Sequence, residues 1–204
     1  MLALPNILTI MRIVLVPVFA LAFVLPGDTA RLTAFAVFCV AGASDALDGL
    51  AARKLNAGSE FGRMLDPIAD KILVAVALMM LVAEGAIHQF NLTMSLASLL
   101  RLVPALIILA REILVSGLRE FLAGAKVSIP VTLFAKLKTT IQMIAIGAMI
   151  LTPLADKYLP DLQALSYAAF AYGLLWVAAA LTVYTGYVYF RAGLRYLHGP
   201  RIVS

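Results

Sequence analysis

Six apolar runs separated by short polar breaks set the plan of this chain. They cover roughly residues 8–25, 30–50, 67–83, 96–115, 134–151 and 165–189. Each comes close to the ~20 apolar residues that a helix needs to cross hydrocarbon. The breaks carry cap and turn residues. Pro5-Asn6 opens the first run, with Asn6 at a cap position, and Pro26-Gly27-Asp28 closes it. Glu84-Gly85 follows the third run, and Pro153 is expected to end the fifth. The fourth run continues as a charged helix through Glu120, and a polar link at 124–130 follows. The pattern predicts an all-α, polytopic membrane protein with six transmembrane helices and a short N-terminal interfacial segment. One domain is expected over 1–204. The first run has no base ahead of it, the first being Arg12, and no small-x-small site follows. A retained span is therefore expected there rather than a signal peptide.

Composition agrees with the pattern. The chain is 63% hydrophobic and 13% charged, against about a quarter charged in soluble domains, which excludes a water-soluble core protein. Cys39 is the only cysteine, so no intrachain disulfide can form. Six spans put both termini on one side. Thirteen of the 16 bases fall on that side, and only Arg31, Arg101 and Lys157 on the other. The positive-inside rule then faces the termini to the cytoplasm. Tyr184, Tyr187 and Tyr189 suit an interfacial aromatic belt. His88 and His198 lack metal-ligand spacing and are expected to be exposed.

One break is unlike the others. Residues 45–71 read DALDGLAARKLNAGSEFGRMLDPIADK, with Asp45, Asp48, Asp66 and Asp70 between apolar runs. A carboxylate in hydrocarbon costs about 2.5–3.5 kcal/mol on insertion scales. Asp45 and Asp48 are i,i+3 and Asp66 and Asp70 are i,i+4, so each pair shares a helix face. Asn56 and Gly58 mark a turn between the two segments. Two helix ends can thus bring four carboxylates together. With no His or Cys among them, the set suits a hard divalent cation, or two, better than zinc. Gly49 and Gly62 would let a ligand approach the backbone, and the Arg53 fork suits a phosphate. An ion-pair network with Arg53, Lys54, Arg63 and Lys71 leaves these spacings and glycines unexplained. A cation transporter would place its carboxylates near mid-bilayer; these lie at the cytoplasmic ends of the runs.

The pattern Asp45-x-x-Asp48-Gly49-x-x-Ala52-Arg53, eight residues, then Gly62-x-x-x-Asp66-x-x-x-Asp70 resembles the signature of the CDP-alcohol phosphatidyltransferases, with every position present. Further segments resemble the bacterial branch that uses sn-glycerol 3-phosphate. These are Pro5-Asn6-x-Leu8-Thr9-x-x-Arg12, the stretch from Ala110-Arg111-Glu112 to Leu118-Arg119-Glu120, and Lys136-x-Lys138-Thr139-Thr140-x-Gln142. The resemblance implies transfer of a phosphatidyl group from CDP-diacylglycerol to the 1-hydroxyl of the acceptor, giving phosphatidylglycerophosphate and CMP. A family member using inositol phosphate, serine or phosphatidylglycerol as acceptor is the alternative. By the same resemblance, Asp45, Asp48, Asp66 and Asp70 hold Mg2+ or Mn2+, with two ions expected, and Asp70 is also the catalytic base. Gly49, Ala52, Arg53 and Gly62 would bind the nucleotide. Arg111, Arg119, Lys136 and Lys138 are candidates for the acceptor phosphate, the first two because eight residues is about two turns of helix. A homodimer in the bacterial inner membrane, in contact with lipids and with no nucleic-acid partner, completes the expectation.

Overall fold

A computed structural model describes the backbone of residues 4–55, 60–87, 96–124 and 133–198 together with the turns at 25–27 and 159–160. Within these, side chains are described except at 4–6, 8, 45–55, 60–64, 66–67, 70, 85–87, 96–98, 133 and 195–198. The described residues form six helices: α1 (Leu4–Val24), α2 (Asp28–Leu55), α3 (Glu60–Ile87), α4 (Leu96–Gly124), α5 (Leu133–Tyr158) and α6 (Asp161–His198). The expected link at 124–130 falls almost wholly outside the described residues, as does His88. His198 is helical, but its side chain is not among those described.

Each helix contains its expected apolar run, and most outreach it. α1 begins at Leu4, so the expected interfacial segment runs into the first helix. Pro153 does not end α5, which continues to Tyr158. The proline removes the donor for Met149 O. One residue earlier, Ala148 O accepts from Thr152 Oγ1 at 3.3 Å and from Tyr167 Oη at 3.0 Å, so hydroxyls of α5 and α6 meet beside the proline. α6 has 38 residues, about 57 Å at 1.5 Å per residue, well beyond the ~30 Å of a hydrocarbon core. Among the described residues two helices, over Phe134–Tyr158 and Asp161–Leu194, are long and apolar enough to cross a membrane by length and composition, and Thr9–Val24 is a shorter apolar stretch.

The helices close into a ring in the order α1, α2, α5, α6, α4, α3, with α3 also touching α2 and α5. Phe19, Phe38, Leu78, Ile108, Ile146 and Leu175, one from every helix, fill the centre. Small residues set the closest approaches, as in membrane bundles where glycine lets backbones meet. A Cβ on Gly42 would overlap Met143 Cε, across α2 and α5. On α6, Cβ atoms on Gly186 and Gly193 would each lie 3.0 Å from a side chain of α4, Arg111 and Leu118 respectively. Those two contacts share one register offset, so α4 and α6 run parallel.

Arg31, Arg101 and Lys157 do share one end of the bundle, away from the acidic stretch. Gly27, with φ of 107°, makes the tight turn there between α1 and α2. Arg31 pairs with Glu84 and stacks 4.2 Å from the Phe23 ring centre. Arg101 Nε donates to Tyr172 Oη at 2.6 Å. Lys157 Nζ donates to Asp28 Oδ2 at 2.6 Å, and Tyr158 Oη donates to the same oxygen. The hydrogen bond from Lys157, then that from Tyr158, holds the Asp28 carboxyl below its ordinary value. A carboxyl lowered on folding adds stability above its unfolded pKa of ~3.9 and loses it as pH falls through the folded value. Hydrogen-exchange protection at the α1–α2 turn, corrected for the intrinsic rate at each pH, should therefore hold at pH 5 and fall on further acidification. In Asp28→Asn this acid-dependent step should be gone, and an unchanged step in that variant would remove the clamp.

Candidate functional site

The acidic stretch folds as the end of one helix and the start of the next. Asp45, Asp48, Gly49, Ala52 and Arg53 lie in the last turns of α2; Gly62, Asp66 and Asp70 lie in the first turns of α3. Both aspartate pairs therefore keep their one-turn spacing on regular helix, and the two helices touch. The side chains of these eight residues are outside those described. Among the described residues no three His, Cys, Asp or Glu side chains come together.

Immediately before Asp45, the described structure becomes polar inside. Arg12 of α1 is 1% exposed, and its Nε donates to Ser44 Oγ at 3.2 Å; Ser44 Oγ donates to Ala41 O at 2.7 Å. Thr9, one turn earlier on α1, is fully buried. Arg12 thus points into the bundle beside the first aspartate of the signature. The hydroxyl of Ser44, on a run that is otherwise apolar, is the sequence signal for this contact.

A second polar group lies between α4, α5 and α6. Glu112 Oε1 accepts from Arg111 Nη1 at 3.2 Å and from Lys138 Nζ. Arg111 Nη2 donates to Thr185 Oγ1 at 2.9 Å. The guanidinium centre of Arg111 lies 5.9 Å from the ring centre of Tyr189, within reach of a cation–π attraction. Tyr189 therefore packs inward, whereas Tyr184 and Tyr187 are exposed as expected of a belt. One carboxylate thus faces two cations. Burial is deep at Lys138, whose side chain is 5% exposed, and slightly less at Arg111 and Glu112. Arg111 Nε, Gln142 Oε1 and Thr182 Oγ1 are buried without a hydrogen-bond partner among the described residues. Gln142 is one turn from Lys138, and Thr182 one turn from Thr185, so these polar atoms continue the same layer.

Of the four candidate acceptor residues, the structure brings Arg111 and Lys138 together across Glu112. Arg119 and Lys136 are exposed. The premise that Arg111 and Arg119 share a face is corrected by helix geometry: eight residues turn about 80° past two full turns. Lys136 and Lys138 are about 200° apart for the same reason. Glu112, Thr182, Thr185, Tyr189 and Gln142 were not singled out as site residues. Thr182 and Thr185, i,i+3 in an apolar run, carried the signal that α6 has a polar face.

Residues 2–184 match the CDP-alcohol phosphatidyltransferase family. The chain is 42% identical over 195 residues to a Rickettsia bellii protein named CDP-diacylglycerol–glycerol-3-phosphate 3-phosphatidyltransferase, covering 95% of this chain and 96% of that one. A Rickettsia typhi protein of the same name is 43% identical over 191 residues, covering 93% and 96%. The Escherichia coli K12 protein of that name is 38% identical over 190 residues, covering 92% and 93%. This match over most of its length, with a complete aspartate signature on two adjoining helices, shows that the chain belongs to the CDP-alcohol phosphatidyltransferase family.

Proposed function

We propose that this chain transfers the phosphatidyl group of CDP-diacylglycerol to the 1-hydroxyl of sn-glycerol 3-phosphate, forming phosphatidylglycerophosphate and releasing CMP. The observation that carries it is the likeness, over more than nine-tenths of both chains, to relatives named for that reaction. The acceptor hydroxyl oxygen attacks the β-phosphorus of the donor, the bond from that phosphorus to the bridging oxygen breaks, and CMP leaves with the oxygen. Asp70 takes the hydroxyl proton. Gly49, Ala52 and Gly62 leave room for the nucleotide, and Arg53 binds its phosphate. Arg111 and Lys138 bind the acceptor phosphate; the close approach of these two mostly buried cations supports this. Arg119 and Lys136, both exposed, stand outside that pair.

Asp45, Asp48, Asp66 and Asp70 would hold two divalent ions, Mg2+ or Mn2+. The donor set fits: four carboxylates with no His or Cys in the stretch is an all-oxygen set for hard cations. When bound, such ions neutralise the diphosphate and stabilise charge on the attacking and leaving oxygens.

The same proposal has one domain over 1–204 with six membrane spans, in the bacterial inner membrane, with both termini and the acidic stretch facing the cytoplasm. The two long apolar helices support this, as do the large apolar side chains exposed on every helix, Leu21, Val40, Met79, Leu114, Ile144 and Leu162 among them. Patches of that kind suit lipid better than water. A homodimer through membrane helices belongs to the proposal as well.

Asp66→Asn should abolish CMP release while the protein still inserts and purifies at its usual size; full activity would overturn the metal assignment. Arg111→Ala should raise the KM for glycerol 3-phosphate about tenfold or more, the loss of one charged hydrogen bond, with the KM for CDP-diacylglycerol little changed. Equal effects on both would count against the phosphate assignment.

A further inference from the structure

Glu112 has two carboxylate oxygens, and the helices engage only one. Oε1 accepts from both Arg111 and Lys138. Oε2 has no partner among the described residues and is not one of the polar atoms sealed from solvent. The side chain as a whole is 17% exposed. Two cations on Oε1 fix the carboxylate, so Oε2 is presented as a preorganised acceptor. An ionised carboxylate accepts and does not donate, so a hydroxyl is the group it can recognise. Beside it stand two cations suited to an anion. The ligand complementary to this trio carries a phosphate with a hydroxyl a few bonds away.

We infer that Glu112 is a specificity-determining residue that accepts a hydrogen bond from the 2-hydroxyl of the acceptor at Oε2, while Arg111 and Lys138 hold its phosphate. This rests on the acceptor-phosphate reading above. The pairing also assigns the acceptor's groups. The phosphate and the secondary hydroxyl are both engaged, and the primary hydroxyl is left to react. A carboxylate that only neutralised the two bases would be indifferent to the secondary hydroxyl.

The test compares sn-glycerol 3-phosphate with 3-hydroxypropyl phosphate, which keeps the phosphate and primary hydroxyl and lacks the 2-hydroxyl. For the native protein kcat/KM should favour glycerol 3-phosphate by about tenfold or more, because the analogue leaves a desolvated carboxylate oxygen unpaired. In Glu112→Gln the amide oxygen stays with the cations and an NH2 replaces Oε2. The preference should then fall to about threefold or less, chiefly through loss with glycerol 3-phosphate. A native preference below about threefold overturns the inference. So does a Glu112→Gln protein in which both acceptors suffer equally and the preference persists. If that variant does not assemble, Glu112→Asp keeps the charge and withdraws the carboxylate by one methylene; the same fall is expected, and an unchanged preference overturns the inference. Lys138→Met separates the parent reading. It should raise the KM of both acceptors. If both KM values are unchanged, the phosphate pocket falls, and this inference with it.

Discussion

A carboxylate held between two cations joins α4 to α5, two helices that do not pack directly on each other among the described residues. Burying ions is costly, and removing one partner of a buried pair typically costs about 3–5 kcal/mol because a charge is stranded. Glu112 therefore constrains both helices more than its small contact area suggests. Arg111 cannot move without disturbing Thr185, Tyr189 and the close approach of Gly186. The geometry of the bundle at this end follows from keeping that group satisfied.

The two ends of the bundle treat charge differently. At the far end Arg31 meets Glu84, Lys157 meets Asp28, and Arg101 donates to the Tyr172 hydroxyl. At the acidic end Arg111 and Lys138 both bond to Glu112, and Arg111 Nε has no partner among the described residues. The first end pairs its charges singly, and the second gathers two bases on one carboxylate. On the proposed reading this division suits the reaction. The donor's acyl chains stay in lipid along the exposed apolar faces, and its head group and the water-borne acceptor meet where the charge is.

Helix number and the main apolar runs were legible in the sequence, because a run of apolar residues in lipid has no other backbone solution than a helix or a closed barrel. Helix ends were less so. α5 runs through Pro153 to Tyr158 while packed against α6, and that tertiary support is invisible to local reading. The aspartate signature was legible because its spacings are helical. The basic group was legible only in part: Arg111 and Lys138 stand out as bases in the sequence, but that Glu112 joins them from one helix to another depends on packing. Arg12 and Ser44, 32 residues apart in sequence, meet only through the packing of α1 on α2.

The central claim is the transfer itself, and its most direct measurement is CMP release by the purified protein supplied with CDP-diacylglycerol in mixed micelles. Release should require a divalent cation and sn-glycerol 3-phosphate together, with phosphatidylglycerophosphate appearing in equal amount. Inositol phosphate, serine and phosphatidylglycerol should not replace the acceptor. Release of CMP without glycerol 3-phosphate, or equal turnover with one of the other alcohols, would contradict the account.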